Sequence, residues 1–451
     1  MKSSSSSSTT LLEGRPRIHH QYQYHDHDIK RERCYNNNNN KGKLLPFLFT
    51  SLATVAIFSY FLFFSSDPFD FLPKQGLNSS VPCHQDLHAV PVIDHNTTTQ
   101  KEEKCDLFRG HWVEEVRASS LYTNSSCRTI PNSKNCFKYG RKDTDFLNWR
   151  WKPNKCELPR FDAKAFLKMV RGKKMGFIGD SVARNHMESL LCLLSPEETP
   201  MDLHKDSKDR FRRWYFPRHD FTLMVSWTEF LLDRNTRMIN GTWFGIFDLH
   251  LDKVDNGWSR FLPELDYAII SVGYWFLRPL YLHEGDNLTG CVFCSEPNVT
   301  KHDVGSTIRM AFRAALNHIN WCKNCSPDLL TVVRTFAPSH FENGAWNTGG
   351  YCNRTSPFND AKAGLRSYDL KIRNIQVQET KRAKKKKGKK FGVIDITWAM
   401  LMRPDGHPGL NWENKWMKGY NDCVHWCMPG PIDYWNDFLI AVIRKESGLS
   451  S

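Results

Sequence analysis

GFIGDSVARNHMESLLCLL, from Gly176 to Leu194, reads as a strand that runs through a serine into a helix. Met175, Gly176, Phe177 and Ile178 form an apolar run of strand length that stops at Gly179. From Val182 onward the apolar residues Val182, Met187, Leu190, Leu191 and Leu194 recur at helical spacing. Ser181 therefore stands at a strand-to-helix turn, where free helical N–H groups and the positive end of the macrodipole face its oxygen. That is a place for a nucleophile, because negative charge developing in a reaction would be held there. An ordinary turn, with Asp180 or Ser181 as N-cap, is the plainer reading of the same residues.

Four more β-rich runs accompany Met175 to Ile178: Phe221 to Trp227, Tyr267 to Val272, Leu329 to Thr335 and Phe391 to Ile396. Helical patterns at Val182 to Leu194 and Ser306 to Trp321 separate some of them, which predicts an α/β fold with a doubly wound parallel sheet. Ligands of such sheets bind beyond the carboxyl ends of the strands, where Ser181 is placed by its own strand. A serine nucleophile needs a base and a group that orients it. DCVH offers Asp422 and His425; RPDGHPG offers a competing pair, Asp405 and His407. Spacing does not choose between them. Cys423 and Cys427 bracket His425, so disulfides could pin that loop, whereas the residues around His407 look like turn formers. Taken alone, each histidine is more often a satisfied polar group than a catalyst.

The chain has 451 residues, 40% of them hydrophobic and 13% aromatic, enough for a sizeable core and two or three domains. Residues 1–43, with a Ser run, a His/Tyr/Asp patch and Asn36 to Asn40, lack any apolar period and read as a disordered cytosolic tail. Leu44 to Phe64 is 21 residues without a charge, long enough to cross a hydrocarbon core of roughly 30 Å. Basic residues before it and Asp67 and Asp70 after it put the N-terminus in the cytosol. An apolar run of that length after a 43-residue leader argues for a retained anchor over a cleaved signal peptide. Residues 65–104 read as a stem.

Two features agree that everything beyond is lumenal. Glycosylation sequons at Asn78, Asn96, Asn124, Asn240, Asn287, Asn298, Asn324 and Asn353 all follow the span. So do 13 of the 14 cysteines, as a disulfide framework in an oxidising compartment requires. Asn324 is the weakest sequon, since it adjoins Cys325. The Golgi is the leading address; the plasma membrane stays open. Net charge is +14, and eight basic residues between Lys381 and Lys390 carry much of it. Such a run is usually a solvated loop, or else it steers acidic polymers or membrane surface. Facing the lumen, it does not serve nucleic acid.

The GDS stretch and DCVHWCMPGPIDYWN, with CDLFRGHWV at Cys105, LNWRWKP at Leu147 and MRPDGHPG at Met402, resemble the plant trichome birefringence-like family of polysaccharide O-acetyltransferases. The likeness runs from Cys105 to Phe438 and is nearest the branch with the ALTERED XYLOGLUCAN and mannan acetyltransferases. It implies an SGNH/GDSL esterase-like fold with a disulfide-stapled N-terminal lobe, residues 105–160, and a catalytic domain, residues 161–451, in a single-pass type II Golgi membrane protein. Carried over, Ser181 is the nucleophile, Asp422 the orienter and His425 the base; Asp405 and His407 become a supporting loop. For the oxyanion the Ser181 N–H is the first candidate donor and Gly273, a glycine at a strand end, the second; Arg184 and Asn185 follow the nucleophile closely and are candidates to line the site. Gly273, Tyr274 and Trp275 stand where many members read GHW, so no histidine role carries over there.

The same likeness implies disulfides Cys105–Cys156, Cys127–Cys192, Cys136–Cys427 and Cys352–Cys423. Cys291, Cys294, Cys322 and Cys325 form two CxxC pairs with near-zinc spacing, but in an oxidising lumen two cross-linked disulfides are the preferred reading, with no metal. Cys83 is the odd one. Of the 15 tryptophans, most should pack the core; Trp275, Trp426 and Trp435 lie nearest the site in sequence and are the ones to test for a polymer groove. The implied activity is transfer of acetyl, through an acetyl-serine, to a hemicellulose. Xyloglucan (side-chain galactose or backbone glucose) comes first and mannan or glucomannan second. No bound cofactor is implied; an acetyl donor is required, acetyl-CoA or another acetylated intermediate, with acetyl-supplying proteins as further partners. An acetylesterase with the same triad and a non-catalytic wall-polymer binder are the competing readings.

Overall fold

The computed structural model describes residues 105–115, 122–123, 125–360, 364–386, 388–413 and 419–448. The tail, the Leu44 to Phe64 span, the stem, Cys83 and the sequons at Asn78, Asn96 and Asn124 lie outside the described residues. Among the described residues no helix is long and apolar enough to cross a membrane.

Thirteen strands are described: β1 Gly110–Glu114, β2 Trp149–Pro153, β3 Lys174–Gly179, β4 Met201–Lys205, β5 Phe211–Phe216, β6 Phe221–Trp227, β7 Leu232–Ile239, β8 Thr242–Val254, β9 Tyr267–Ser271, β10 Leu280–Glu284, β11 Asn287–Val292, β12 Leu330–Arg334 and β13 Lys390–Ile394. The central sheet has the order β13-β12-β9-β3-β6-β5-β4. Its first five strands are parallel and coincide with the five β-rich runs of the sequence. The purely parallel expectation is corrected at one edge, where β5 and β4 add antiparallel through short turns. A second sheet, β11-β10-β8-β7, was not legible in the sequence.

Both faces of the parallel strands are covered, as buried parallel sheets require. Met175, Phe177, Ile269, Val332 and Ile394 pack with helices α1 Ala163–Met169, α2 Ser181–Leu194 and α6 Tyr434–Ser447. Their strand neighbours Ile178, Ala268, Ile270 and Val333 point the other way, into α3 Val304–Asn320, α4 Ser367–Lys384 and the second sheet. The short helix α5, Thr397–Leu401, follows β13. The N-terminal β1–β2 ladder has no core of its own. Its Trp112 meets Tyr434 of α6 edge-on at 5.0 Å and donates from Nε1 to the carbonyl of Ala399 at 2.8 Å.

Disulfides join Cys105 to Cys156, Cys127 to Cys192, Cys136 to Cys427 and Cys352 to Cys423. Each CxxC closes on itself, Cys291–Cys294 and Cys322–Cys325, instead of linking to the other. The basic run is largely exposed, as expected, but only its middle is a loop. It ends α4, where cations suit the helix dipole, and begins β13. Lys384 pairs with Glu446 at 2.6 Å, Lys390 with Asp328 at 2.9 Å, and Lys389 donates to the carbonyls of Cys325 and Ser326. Asn240, Asn287, Asn298, Asn324 and Asn353 are exposed.

Candidate active site

Gly179 ends β3 with φ of +153°, and a Cβ there would lie 1.8 Å from the carbonyl oxygen of Ser271, so only glycine allows the chain to leave the sheet this way. Asp180 follows as the N-cap of α2, accepting from the N–H of Val182 at 3.0 Å and of Ala183 at 3.4 Å. The capped turn and the nucleophile site thus coexist, with Ser181 as the first helical residue, half-buried. Asp180 is buried, which raises its carboxyl; the cation of Arg334 opposes that shift. Arg334 ends β12 beneath the turn, fully buried with its guanidinium 4.7 Å from the Trp435 ring, and burial lowers it to about 10.

The base stands on a loop that is tied down from several sides. Asp422 accepts from the N–H of Val424 at 3.1 Å, the N–H of His425 at 2.9 Å and His425 Nδ1 at 2.8 Å. Burial pushes the Asp422 carboxyl up, but His425 and those backbone donors outweigh it and hold it at about 2. A carboxylate can only accept, so Nδ1 carries the proton and His425 Nε2 offers a lone pair. That nitrogen is buried with no hydrogen-bond partner among the described residues.

Asn185, one turn beyond Ser181 and fully buried, fixes where this imidazole stands. Its Oδ1 accepts from the N–H of Trp426 at 2.8 Å, and its Nδ2 donates to the Trp426 carbonyl at 3.4 Å. The residue after the base is thereby docked on the nucleophile's own helix, and His425 lies near enough to act electrostatically on Asp180. Ser181 and His425 Nε2 are not hydrogen-bonded to each other, and such bonds often tighten only around substrate. The competing pair is accounted for elsewhere. Asp405 holds buried Arg403 through two bonds, at 2.8 and 3.0 Å. His407 donates from Nδ1 to the carbonyl of His425 at 2.7 Å and meets His340 across 2.7 Å on its far side. Burial lowers His407 to about 4, so a neutral ring props the loop from behind.

The remaining candidates divide. Asn185 positions the loop and does not line the site. Arg184 reaches sideways to Asp209, by an ion pair at 3.4 Å and a bond to its carbonyl, and stands 5.5 Å over the Trp227 ring. Gly273 follows β9 beside the turn; its φ of 175° is ordinary extended backbone, and what demands glycine is the Phe336 ring, 2.4 Å from where a Cβ would sit. Trp426 and Trp435 are fully buried and belong to the core, whereas Trp275 is half-exposed above the sheet. Arg334 and His340 were missed in the sequence; an arginine closing the run LLTVVR was the available signal.

A parallel sheet with a serine at a strand-to-helix turn, and a carboxylate-held histidine docked on that same helix, defines the serine acyl-transfer class. Residues 158–442 match the family described as GDSL/SGNH-like acyl-esterases found in Pmr5 and Cas1p, and residues 103–157 match the Pmr5 N-terminal domain. Xyloglucan O-acetyltransferase 4 of Populus trichocarpa is 56% identical over 408 residues, 90% of this chain and 93% of that protein. Xyloglucan O-acetyltransferase 2 of Arabidopsis thaliana is 54% identical over 90% of this chain and 94% of its own length. Protein trichome birefringence-like 19 of Arabidopsis thaliana is 41% identical over 88% and 92%. The chain belongs to the trichome birefringence-like group of this GDSL/SGNH acyl-esterase family, and it is an acyltransferase.

Proposed function

We propose that this acyltransferase moves acetyl from a donor to a hydroxyl of a hemicellulose, with xyloglucan as the acceptor, in the Golgi lumen. The observation that carries the chemistry is the buried lone pair of His425 Nε2, held ready by the Asp422 bond at 2.8 Å on Nδ1. The names of relatives above half identity support the acceptor. The charge-free Leu44 to Phe64 run and the sequons beyond it support a type II anchor and a lumenal site.

In the first half-reaction Nε2 takes the Ser181 proton as Oγ attacks the acetyl carbonyl carbon. Asp422 steadies the imidazolium, and the proton passes to the departing donor group as acetyl-serine forms. Ser181 N–H, at the positive end of α2, faces the developing oxyanion, with Gly273 as the second donor. A sugar hydroxyl then gives its proton to Nε2 and attacks the acetyl-serine, and Oγ leaves with that proton. No residue is consumed. Acetyl-CoA or another acetylated intermediate, presented by a partner protein, supplies the group.

The test is acetylation by the full-length chain, purified in detergent, of separate xyloglucan and mannan oligosaccharides, read by mass beside Ser181→Ala. Serine-dependent product on xyloglucan is expected. Product on mannan alone would replace the acceptor, free acetate alone would make the chain an esterase, and equal performance by the alanine variant would leave a binding protein.

A further inference from the structure

Trp227 and Trp275 stand on either side of the nucleophile's strand. Trp227 ends β6 and pairs with Gly179 of β3; Trp275 follows β9, the other neighbour of β3. Both are half-buried, and their rings meet edge to face at 6.3 Å. From Trp275 the aromatic cluster continues through buried Phe247, 6.0 Å away, to half-buried Trp243, 5.6 Å from Phe247, out along the second sheet. A cavity of about 180 Å³ opens there, lined by Trp275, Phe247, Trp243, Thr236, Glu229 and Arg234. A neighbouring cavity of about 290 Å³ shares Glu229 and Arg234 and reaches Trp227 and Arg210. Each is smaller than the roughly 300–1,000 Å³ of sites that enclose drug-sized ligands.

Charge decides what fits. Glu229 is 5% exposed and takes Arg210 at 2.6 Å on one oxygen and Arg234 at 2.8 Å on the other. Arg237 is spent on Asp248, and Arg184 on Asp209. Two arginines share the one Glu229 carboxylate, but Asp206, Asp233 and Asp255 line the larger cavity beside Arg260, so its charges nearly balance; Arg278 stands 4.0 Å over the Trp275 ring. Directional donors and acceptors beside aromatic rings remain, with little net field for a polyphosphate. Aromatic rings with fixed polar groups suit a ligand that is apolar on its faces and polar at its edges. We infer that the groove running from Trp227 over Trp275 to Trp243, floored by Glu229 and Arg234, is the acceptor subsite, and that it takes an uncharged oligosaccharide across the end of β3. The inference rests on the acetyl-transfer reading for its place in the reaction, though not for the binding itself.

Two measurements on the full-length protein test it. In steady-state acetylation of a xyloglucan oligosaccharide, Trp243→Ala and Arg234→Gln each raise the glycan KM roughly five- to ten-fold, the loss of one stacking or bidentate contact. The donor KM stays within two-fold, and Trp243→Phe, which keeps a ring face, recovers most of the loss. Trp321→Ala, at a site 70% exposed beyond α3, controls for the loss of a surface tryptophan. In calorimetry, Ser181→Ala protein binds the same oligosaccharide without turnover, and adding Trp243→Ala weakens that binding by the same roughly five- to ten-fold. If the wild type acetylates but the glycan KM does not move, or the donor KM rises instead, the groove assignment is wrong. If no hemicellulose is acetylated, the functional reading fails, and calorimetry alone decides whether the groove holds a glycan.

Discussion

Asn185→Ala separates the positioning of the base from its chemistry. The substitution leaves Ser181, Asp422 and His425 untouched but removes both bonds that dock Trp426 on α2, at 2.8 and 3.4 Å in a fully buried site. One backbone N–H and one C=O lose their partners, at roughly 1–3 kcal/mol for each group orphaned in the interior. Water entering the space left by the amide would recover part of that, so a loss of about 2–3 kcal/mol is expected, several degrees in melting temperature for a domain of this size. The fold survives because Cys136–Cys427 and Cys352–Cys423 still hold the loop. The imidazole, however, would no longer be fixed against the serine's helix, and a misplacement near 1 Å costs on the order of 100-fold in rate. Melting and steady-state acetylation on the same preparation should show kcat down roughly 30- to 100-fold with the glycan KM within two-fold. A variant that melts lower but keeps kcat within two-fold of wild type would mean that the disulfides alone position His425, and the reasoning would be refuted.

Asp422→Asn removes the charge behind His425 and permits the wrong tautomer, so kcat should fall roughly 10³–10⁴-fold in the same assay. Because the Asp422 carboxyl sits at about 2, below its unfolded value, its stabilising contribution is present above about pH 4 and lost as pH falls through 2. It amounts to about 2 kcal/mol, and the asparagine variant should lack that acid-side slope in melting against pH. Asp369, fully buried, is raised by burial to about 7 against the pull of Arg366. Its contribution is full below about pH 4 and lost as pH rises through 7, so Asp369→Asn should raise the melting temperature at pH 8 and leave it unchanged at pH 4. Gly179→Ala puts a methyl 1.8 Å from the Ser271 carbonyl in a backbone region other residues avoid, and should abolish folded protein, read as loss of soluble yield.

The five parallel strands were legible because each is a short, continuous apolar run, which is what burial on both faces produces. The second sheet was not, for the opposite reason. β7, LDRNTRMI, is largely exposed, and β8 alternates only in part, with Phe247 and Leu249 inward and charged residues near its end. Pairing partners, not local composition, define such strands. At the site, Ser181, Asp422 and His425 were visible through motif and spacing. What holds them was not: Asn185 reads as one more polar residue on a helix, and its partner Trp426 lies 241 positions away. Arg334 and His340 work through burial, which a sequence does not display. The basic run is solvated as its composition suggests, but the contacts of Lys384 with Glu446, Lys386 with Asn317 and Lys390 with Asp328 come from distant segments and were not legible.

The three side chains of the site do not by themselves distinguish a transferase from an esterase, since an acetyl-serine would pass its acyl group to water as readily as to any unheld hydroxyl. Partition toward glycan requires that the sugar hydroxyl be presented at high effective molarity, which positioned groups reach at roughly 10⁵–10⁸ M. His425 Nε2 takes the hydroxyl's proton and the Ser181 N–H faces the oxyanion, but neither orients a whole sugar, and the next N–H groups of α2, those of Val182 and Ala183, are taken by Asp180. That presentation has to come from surfaces beside the strand end. β3 is flanked there by β6 and β9, and both contribute a half-exposed tryptophan. On the acceptor-subsite proposal, selectivity for acceptor over water belongs to the two strands that neighbour the nucleophile and to the sheet their tryptophans lead onto. On the same proposal the second sheet, absent from any reading of the triad, would have a chemical reason to be there.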